Sequence, residues 1–258
     1  MDLELDGLRV IVTAGAGGIG REIVRAFIEE GARVHVCDID AANLNALSAD
    51  HPRVSATRCD VSDRQQVTRL FNEAIAVLGG LDCLVNNAGV SGPTGRVDRI
   101  DPEAWERTMA VNITGQFNCV RLAVPYLLQS ANPSIINISS AAGKFGFRLR
   151  TPYTASKWAV IGFTKSLAIE LGGDQIRANA VLPGIVSGAR QEAVLAQKAD
   201  AQGLSLEEIK AFALSQASIK EMISPRQIAD TILCLASHRF STVSGQAISV
   251  DGDLQALT

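Results

Sequence analysis

Short apolar segments alternate with longer amphipathic ones along this 258-residue chain, and the alternation restricts the folds that it can adopt. Seven apolar segments are typical of buried strands: 9–13, 33–37, 54–59, 81–85, 135–138, 178–182 and 247–250. Helical patterns lie near 64–78, 102–128, 152–171 and 225–235, and another before Gly31 carries Ile19, Ile23 and Phe27 on one face. We therefore predict an α/β fold: a doubly wound, mostly parallel, seven-stranded sheet with helices on both faces.

The composition favours a single soluble domain over residues 1–258. Apolar residues make up 47% of the chain, and the net charge of −3 gives no basic surface for nucleic acid. The acidic start and the absence of an apolar run of about 18 residues predict a cytoplasmic protein without membrane contact. The scattered cysteines and histidines predict reduced core thiols and no metal site: Cys37, Cys59, Cys83, Cys119, Cys234, His35, His51 and His238.

A glycine-rich turn, TAGAGGIG, follows the first strand from Thr13. Its glycines would let backbone N–H groups approach a pyrophosphate at the helix N-terminus. Asp38 ends the second strand, eighteen residues after Gly20, where a carboxylate can accept hydrogen bonds from both adenosine ribose hydroxyls. A 2′-phosphate would meet like charge there, at a cost of roughly 2 kcal/mol when hydrated. The pattern predicts a Rossmann-type site for NAD rather than NADP, although a turn aspartate is the alternative for Asp38.

Tyr153 and Lys157 are four residues apart in TPYTASKWAV, and Ser140 ends an apolar segment thirteen residues before the tyrosine. Residues four apart share a helix face, so the lysine ammonium can stabilise the tyrosine phenolate. A phenol of pKa about 10 needs roughly 4 kcal/mol of such stabilisation to be a base at neutral pH. The spacing alone also fits a core tyrosine with a solvated lysine, and Ser140 alone fits a capping serine. Together the three residues favour hydride-transfer chemistry.

In order along the whole chain, these motifs resemble those of the short-chain dehydrogenase/reductase family. The shared motifs are TAGAGGIG at Thr13, DV at Asp60, NNAG at Asn86, Asn112, Ser140, YTASK at Tyr153 and PG at Pro183. The resemblance implies that Tyr153 is the general acid/base, that Ser140 binds the substrate oxygen, and that Lys157 contacts the nicotinamide ribose. It implies that Asn112 supports a water bridge to Lys157. Asn112 alone would fit local bonding within a helix.

The resemblance also implies which residues hold the cofactor. Asp60 and Val61 would contact adenine, and the stretch after Asn86 would support the sheet beside the cofactor. The full expected set is Gly15, Gly17, Gly18, Ile19, Gly20, Asp38, Asp60, Val61, Asn87, Ala88, Gly89, Tyr153, Lys157, Pro183, Gly184 and Val186.

Two positions depart from the family pattern. Ala14 stands where the first glycine of the motif is usual, and its Cβ restricts the backbone. Gly188 stands where a threonine usually contacts the carboxamide, so Ser187 or the backbone near Val186 would have to replace it.

The substrate side is predicted less directly. Residues 189–220 form a long, mostly helical connection that we interpret as a substrate lid, with an exposed surface excursion as the alternative. Cations near this cleft favour a polyhydroxylated or anionic substrate, although each alone also fits solvated surface charge. The candidate substrate residues are Arg148, Arg150, Ser187 and Arg190, with Lys144 on the same loop as Arg148.

The expected activity is NAD(H)-dependent interconversion of a secondary alcohol and a ketone. One alternative is an NADP-dependent reductase of 3-oxoacyl groups or ketones, which Asp38 disfavours. Another is a non-catalytic dinucleotide-binding scaffold or redox sensor, which the Ser140, Tyr153 and Lys157 set disfavours. The resemblance further implies a homotetramer, with helices 102–128 and 152–171 at one interface and the last strand at another.

Overall fold

The computed structural model describes the backbone of residues 2–257, with the side chains of 189, 190, 197, 198, 201 and 202 left out. Its strands are β1 (Arg9–Thr13), β2 (Arg33–Asp38), β3 (Ser55–Arg58), β4 (Cys83–Asn86), β5 (Ser134–Ile138), β6 (Arg177–Pro183) and β7 (Ala247–Val250). Its α-helices are α1 (Gly18–Glu29), α2 (Ala41–Asp50), α3 (Arg64–Leu78), α4 (Pro102–Met109), α5 (Gly115–Leu127), α6 (Thr151–Leu171), α7 (Ala189–Gln202), α8 (Leu206–Ser215) and α9 (Pro225–Ala236).

The strands form one sheet in the order β3-β2-β1-β4-β5-β6-β7. In the described residues every pairing within this sheet is parallel, so the predicted seven-stranded Rossmann-type fold is confirmed and no antiparallel strand interrupts it. Two apolar cores cover its faces, one under α1, α2 and α9 and the other under α3, α5 and α6. The strand order reverses between β1 and β4, and ligands of such sheets bind at the carboxyl ends of the strands beside this point.

Two elements differ from the expectation. The sequence analysis assigned no helix to residues 41–50, where α2 forms behind Asp40, whose side chain caps the Ala42 and Asn43 N–H groups. The single helix expected over 102–128 instead consists of α4 and α5 joined by a π-helical turn, Ala110–Thr114. The wider turn is invisible to a 3.6-residue periodicity, and such turns often lie at functional sites.

The structure agrees with the cysteine prediction except at Cys234, which is only partly buried rather than in the core. All five thiols are free, and four of them are fully buried. Burial raises the pKa of the Cys83 thiol to about 12, and it raises that of Cys119 further, so neither is a ready nucleophile. Over residues 2–257, no helix is both long and apolar enough to cross a lipid bilayer.

Candidate active site

The glycine-rich turn joins β1 to α1 and leaves the start of that helix open. Gly17 is the residue before α1, and no side chain caps the helix there. A Cβ placed on Gly17 would come no closer than 3.9 Å to the side chain of Asn43, and Gly18 has open space at the same position. The N–H groups at the start of the helix and the positive end of its dipole therefore lie beside the open space at Gly17 and Gly18. The turn fits a pyrophosphate group.

Close packing explains the last glycine of this turn. A Cβ on Gly20 would lie 2.1 Å from the Ala14 carbonyl oxygen, so only glycine lets α1 start this close to the strand. Ala14 itself adopts φ 49, a left-handed conformation that glycine would adopt without strain. The Asn87 amide donates to both the Thr13 and the Ala14 carbonyl at 3.0 Å, which fixes the turn to the end of β4.

Asp38 lies at the end of β2, next to the glycine-rich turn. Its carboxylate accepts hydrogen bonds from the Ala16 N–H at 3.2 Å and the Asp40 N–H at 3.1 Å. Arg58 is its neighbour across the β2–β3 pair, and the Arg58 Nε donates to the Ile39 carbonyl at 3.1 Å. This cation was not expected from the sequence, because only the pairing of the two strands brings residue 58 beside residue 39. Only the register of β2 against β3, which pairs Asp38 with Arg58, could have revealed it.

Asp60 follows β3 and is held by its neighbours. Its side chain accepts from the Ser62 hydroxyl at 2.7 Å and the Arg107 guanidinium at 2.8 Å. Partial burial alone would raise the pKa of this carboxyl, but these hydrogen bonds outweigh it and the pKa is lowered. Asp60 is therefore a fixed anion at the sheet edge. Val61 beside it is buried against Gly115 of α5.

The stretch from Asn86 to Gly89 crosses the carboxyl edge of the sheet after β4. The Thr13 hydroxyl accepts from the Asn87 and Ala88 N–H groups at 2.9 and 3.0 Å. A Cβ on Gly89 would lie 3.3 Å from the Lys157 Nζ and 3.4 Å from the Asn112 Oδ1. Gly89 thus brings the β4 turn against both polar side chains.

Tyr153 and Lys157 lie in the first two turns of α6, facing the ends of β4 and β5. The Lys157 Nζ is 5.7 Å from the centroid of the Tyr153 ring and donates to the Ile138 carbonyl at 2.9 Å. Lys157 is 4% exposed, whereas Tyr153 is partly exposed. Ser140 follows β5 and is also partly exposed, and its hydroxyl accepts from the Ala142 N–H at 3.2 Å. The sheet edge therefore carries a phenol beside a buried ammonium, with a hydroxyl on the adjacent loop.

The π-helical turn places Asn112 inside this site. Its amide exchanges two hydrogen bonds with Val90, at 2.7 and 2.9 Å, and donates to the Ser156 hydroxyl at 2.9 Å. Ser156 in turn donates to the Tyr153 carbonyl at 2.7 Å. A helix-interior asparagine that bonds only within its own helix does not describe this residue. Asn112 connects the first turn of α6 to the loop after β4.

The segment after β6 lies at the other end of the site. Gly184 touches Asp251, since a Cβ on it would lie 2.6 Å from the Asp251 Cβ, and Pro183 before it is buried. Val186 forms an isolated parallel bridge with Ile223. The hydrogen bonds of this bridge are made by Ile185 and Ser187, so the N–H and carbonyl of Val186 itself point away from Ile223. The Ser187 hydroxyl donates to the Ile223 carbonyl at 3.3 Å. The Ser187 N–H and hydroxyl are therefore both bonded to the Ile223 carbonyl.

The four candidate cations have different environments. Lys144 is paired with Asp251 at 2.7 Å and with the Ser249 hydroxyl at 3.0 Å. Arg148 is exposed on the loop before α6, and Arg150 is buried beside the Tyr153 ring. The side chain of Arg190 lies outside the described residues.

An anion site at a helix N-terminus and a phenol–ammonium pair thus share one sheet edge, and the two together define the class of nucleotide-dependent α/β oxidoreductases. A family model described as enoyl-(acyl carrier protein) reductase matches residues 14–254. The chain belongs to the short-chain dehydrogenase/reductase family of oxidoreductases, which act on alcohols and ketones.

Relatives with different substrates are similar over most of the chain. It is 36% identical over 256 residues to a 3-oxoacyl-[acyl-carrier-protein] reductase of Thermotoga maritima, covering 98% of this chain and 99% of that protein. It is 35% identical over 231 residues to an L-fucose dehydrogenase of Bos taurus, covering 90% and 83%. A crystal structure of a variant actinorhodin polyketide ketoreductase with NADPH superimposes with a TM-score of 0.91 at 31% identity, covering 96% and 97%.

Proposed function

We propose that this protein is an NAD(H)-dependent oxidoreductase that interconverts a secondary alcohol and a ketone, with Tyr153 as the general acid/base. The observation that carries the proposal is the Lys157 Nζ, buried and held 2.9 Å from the Ile138 carbonyl and 5.7 Å from the Tyr153 ring. A lysine in that position lies beside the aromatic ring whose hydroxyl would exchange a proton with the substrate.

In the oxidative direction, the Tyr153 oxygen removes the hydroxyl proton while Ser140 donates a hydrogen bond to the substrate oxygen. A bound nicotinamide would accept the hydride from the carbinol carbon in this direction and return it to the carbonyl carbon in the other. Lys157 would hold the nicotinamide ribose from its buried position beside Tyr153. In the reductive direction, Tyr153 returns the proton to the carbonyl oxygen. General acid/base catalysis of this kind contributes about a hundredfold to ten-thousandfold.

The cofactor assignment depends on Asp38. Its carboxylate is partly exposed at the end of β2 and points to the glycine-rich turn, where it would accept bonds from an unmodified ribose. The open start of α1 would hold the pyrophosphate with Gly17, Gly18 and Ile19, and Asp60 and Val61 would lie beside the adenine. Pro183, Gly184 and Val186 would lie along the nicotinamide end.

An NADP-dependent ketone reductase is the second candidate. Arg58 favours it, because its guanidinium is exposed beside Ile39, one residue beyond Asp38. The reductase name of the Thermotoga maritima relative and the NADPH of the ketoreductase structure point the same way. Asp38 opposes it through like charge.

We base the proposal of an anionic or polyhydroxylated substrate on Arg148. Its side chain is exposed, and it lies in the segment of the sequence between Ser140 and Tyr153. The sugar in the name of the Bos taurus relative supports the polyhydroxylated form. Residues 189–220 would cover this substrate as a lid. The helices α5 and α6 would form a subunit interface in a homotetramer.

The activity is tested with Tyr153→Phe. We expect this variant to bind NAD with unchanged affinity, measured by titration calorimetry, and to lose at least about a thousandfold in turnover, measured by absorbance of the reduced nicotinamide. The substrate panel should include sugars, hydroxy acids and secondary alcohols, with the matching ketones. Tyr126→Phe is the matched control, because Tyr126 lies on α5 and is the only other tyrosine of the chain. Full activity of Tyr153→Phe would remove the proposed base.

The cofactor preference is tested with Asp38→Asn, which preserves an oxygen for the Ala16 N–H and removes the charge. We expect the NAD-to-NADP ratio of kcat/KM to fall by about thirtyfold, equivalent to the roughly 2 kcal/mol of repulsion removed. Adding Arg58→Met to this variant should reduce the gain with NADP. Equal efficiency of the unmodified enzyme with both cofactors would contradict NAD preference.

A further inference from the structure

Arg150 is a buried cation at the candidate site. It precedes α6 and is 9% exposed. Its guanidinium donates to the Ser91 carbonyl at 2.8 Å and to the Thr94 hydroxyl at 3.1 Å. A buried charge costs several kcal/mol unless it is well bonded, so a side chain kept there needs a specific role or strong compensation.

The guanidinium also lies against the reacting aromatic ring. The Arg150 Cζ is 5.5 Å from the Tyr153 ring centroid and 5.6 Å from that of Phe147. These distances are within the range of cation–π contacts, which are stronger when both groups are shielded from water. Arg150 therefore contacts the Tyr153 ring and both loops beside it.

Those two loops have a second connection close by. The Gly95 N–H donates to the Leu149 carbonyl at 2.9 Å, so the loop after β4 and the loop before α6 run together at this point. The planar guanidinium reaches the first loop from the second with two donors in fixed directions, which a lysine ammonium would not reproduce. The Tyr153 ring lies against this junction.

We propose that Arg150 is the positioning residue of Tyr153: it fixes the phenol ring relative to Ser140 and Lys157 through its ring contact and its bonds to Ser91 and Thr94. This inference rests on the proposed role of Tyr153 as the acid/base. It assigns Arg150 to the catalytic tyrosine rather than to the substrate, because two of its donors are engaged by the protein. Misplacement of a catalytic group by about 1 Å can cost about a hundredfold in rate.

The test compares Arg150→Met, Arg150→Lys and Thr94→Val in the full-length enzyme. We expect Arg150→Met to lower kcat by about tenfold to a hundredfold, with KM and the dissociation constant of NAD within about twofold. Arg150→Lys should recover only part of the loss, and Thr94→Val should give a smaller loss. Arg96→Met is the matched control, because Arg96 is on the same loop as Thr94 but exposed and paired with Asp98.

Chemical rescue separates positioning from general destabilisation. In Arg150→Ala, millimolar guanidinium chloride should restore part of kcat, whereas sodium chloride at equal ionic strength should not. If Arg150→Met folds poorly, Thr94→Val and the rescue of Arg150→Ala still decide the question. A change in KM alone, or unchanged kcat in the Arg150 variants while Tyr153→Phe is inactive, overturns the role of Arg150 and leaves the proposed function intact. An active Tyr153→Phe would instead overturn the proposed function.

Discussion

At the scale of single residues, Ala14 shows strain at the cofactor turn. A non-glycine residue in the left-handed region costs about 1 to 2 kcal/mol, and Ala14 has φ 49. The Asn87 amide and Gly20 both lie against the Ala14 carbonyl, which holds the peptide in this conformation. The surrounding contacts therefore impose a geometry that alanine does not prefer.

Replacing Ala14 with glycine should relieve this strain. Glycine also raises the conformational entropy of the unfolded chain, which offsets part of the gain. We therefore expect Ala14→Gly to raise the free energy of unfolding by a net amount of about 0.5 to 1 kcal/mol, measured by urea denaturation. Ala42→Gly, in the first turn of α2, is the control and should lower it by up to about 1 kcal/mol. A less stable Ala14→Gly would show that the conformation is not strained.

At the scale of elements, the edge of the sheet contains a buried polar chain. His35 of β2 is 2% exposed, with its Nδ1 2.8 Å from the Ser55 hydroxyl and its Nε2 3.1 Å from the Thr57 hydroxyl of β3. Thr57 in turn donates to Glu73 of α3. Because the Thr57 hydroxyl donates to Glu73, it can accept a hydrogen bond from His35 Nε2–H. This pattern suits the neutral ring in the tautomer that carries its hydrogen on Nε2. Burial lowers the pKa of His35 to about 4, although Glu73 acts in the opposite direction.

This histidine predicts a pH dependence of stability. Below about pH 6.5 the unfolded chain gains a proton that the folded His35, with a pKa of about 4, does not accept. Neutral His35 therefore contributes its full share to the free energy of unfolding above pH 6.5. That contribution, roughly 3 kcal/mol, is lost as the pH falls from 6.5 to 4. His35→Gln should flatten this part of the stability profile in urea denaturation. His238→Gln, at an exposed position, should follow the unmodified protein, and equal slopes in both variants would refute the assignment.

The elements also show what the sequence could and could not predict. Strands β1 and β7 were predicted with correct bounds, and β1 is a continuous apolar run, as is typical of buried parallel strands. The π-helical turn around Asn112 was not predicted, because a single wider turn does not change the spacing of the apolar residues enough to be detected. Arg58 was missed at the cofactor site because strand pairing, a long-range property, places it beside Ile39. Arg150 was recognised as a candidate, but its bonds to Ser91 and Thr94 required the fold.

At the scale of the whole molecule, α5 and α6 carry apolar side chains on their outer faces. Phe117 and Leu128 of the α5 region are 45% and 51% exposed, and Trp158 and Ile169 of α6 are 51% and 84% exposed. Residues 158 and 169 are three helical turns apart and share one face. An apolar face of this kind is typical of a subunit contact, in agreement with the proposed homotetramer.

Charges on this face should dissociate the assembly. A charge buried without a partner costs about 3 kcal/mol or more, so Phe117→Lys with Ile169→Lys should weaken association at least about a hundredfold. Sedimentation velocity should then detect a smaller species with an unchanged circular dichroism spectrum. Val77→Lys, which replaces an exposed apolar residue of α3, should leave the sedimentation coefficient unchanged. A smaller species already present in the unmodified protein would contradict the tetramer.

The excursion from α7 to α8 has an apolar centre of its own. Leu195, Ala199 and Ile209 are buried there against Ala213, separately from the two cores that cover the sheet. Substitutions among these side chains would therefore alter the proposed lid without repacking either face of the sheet. If the segment acts as that lid, its substrate preference could change during evolution at little cost to the folding of the sheet and the residues around Tyr153.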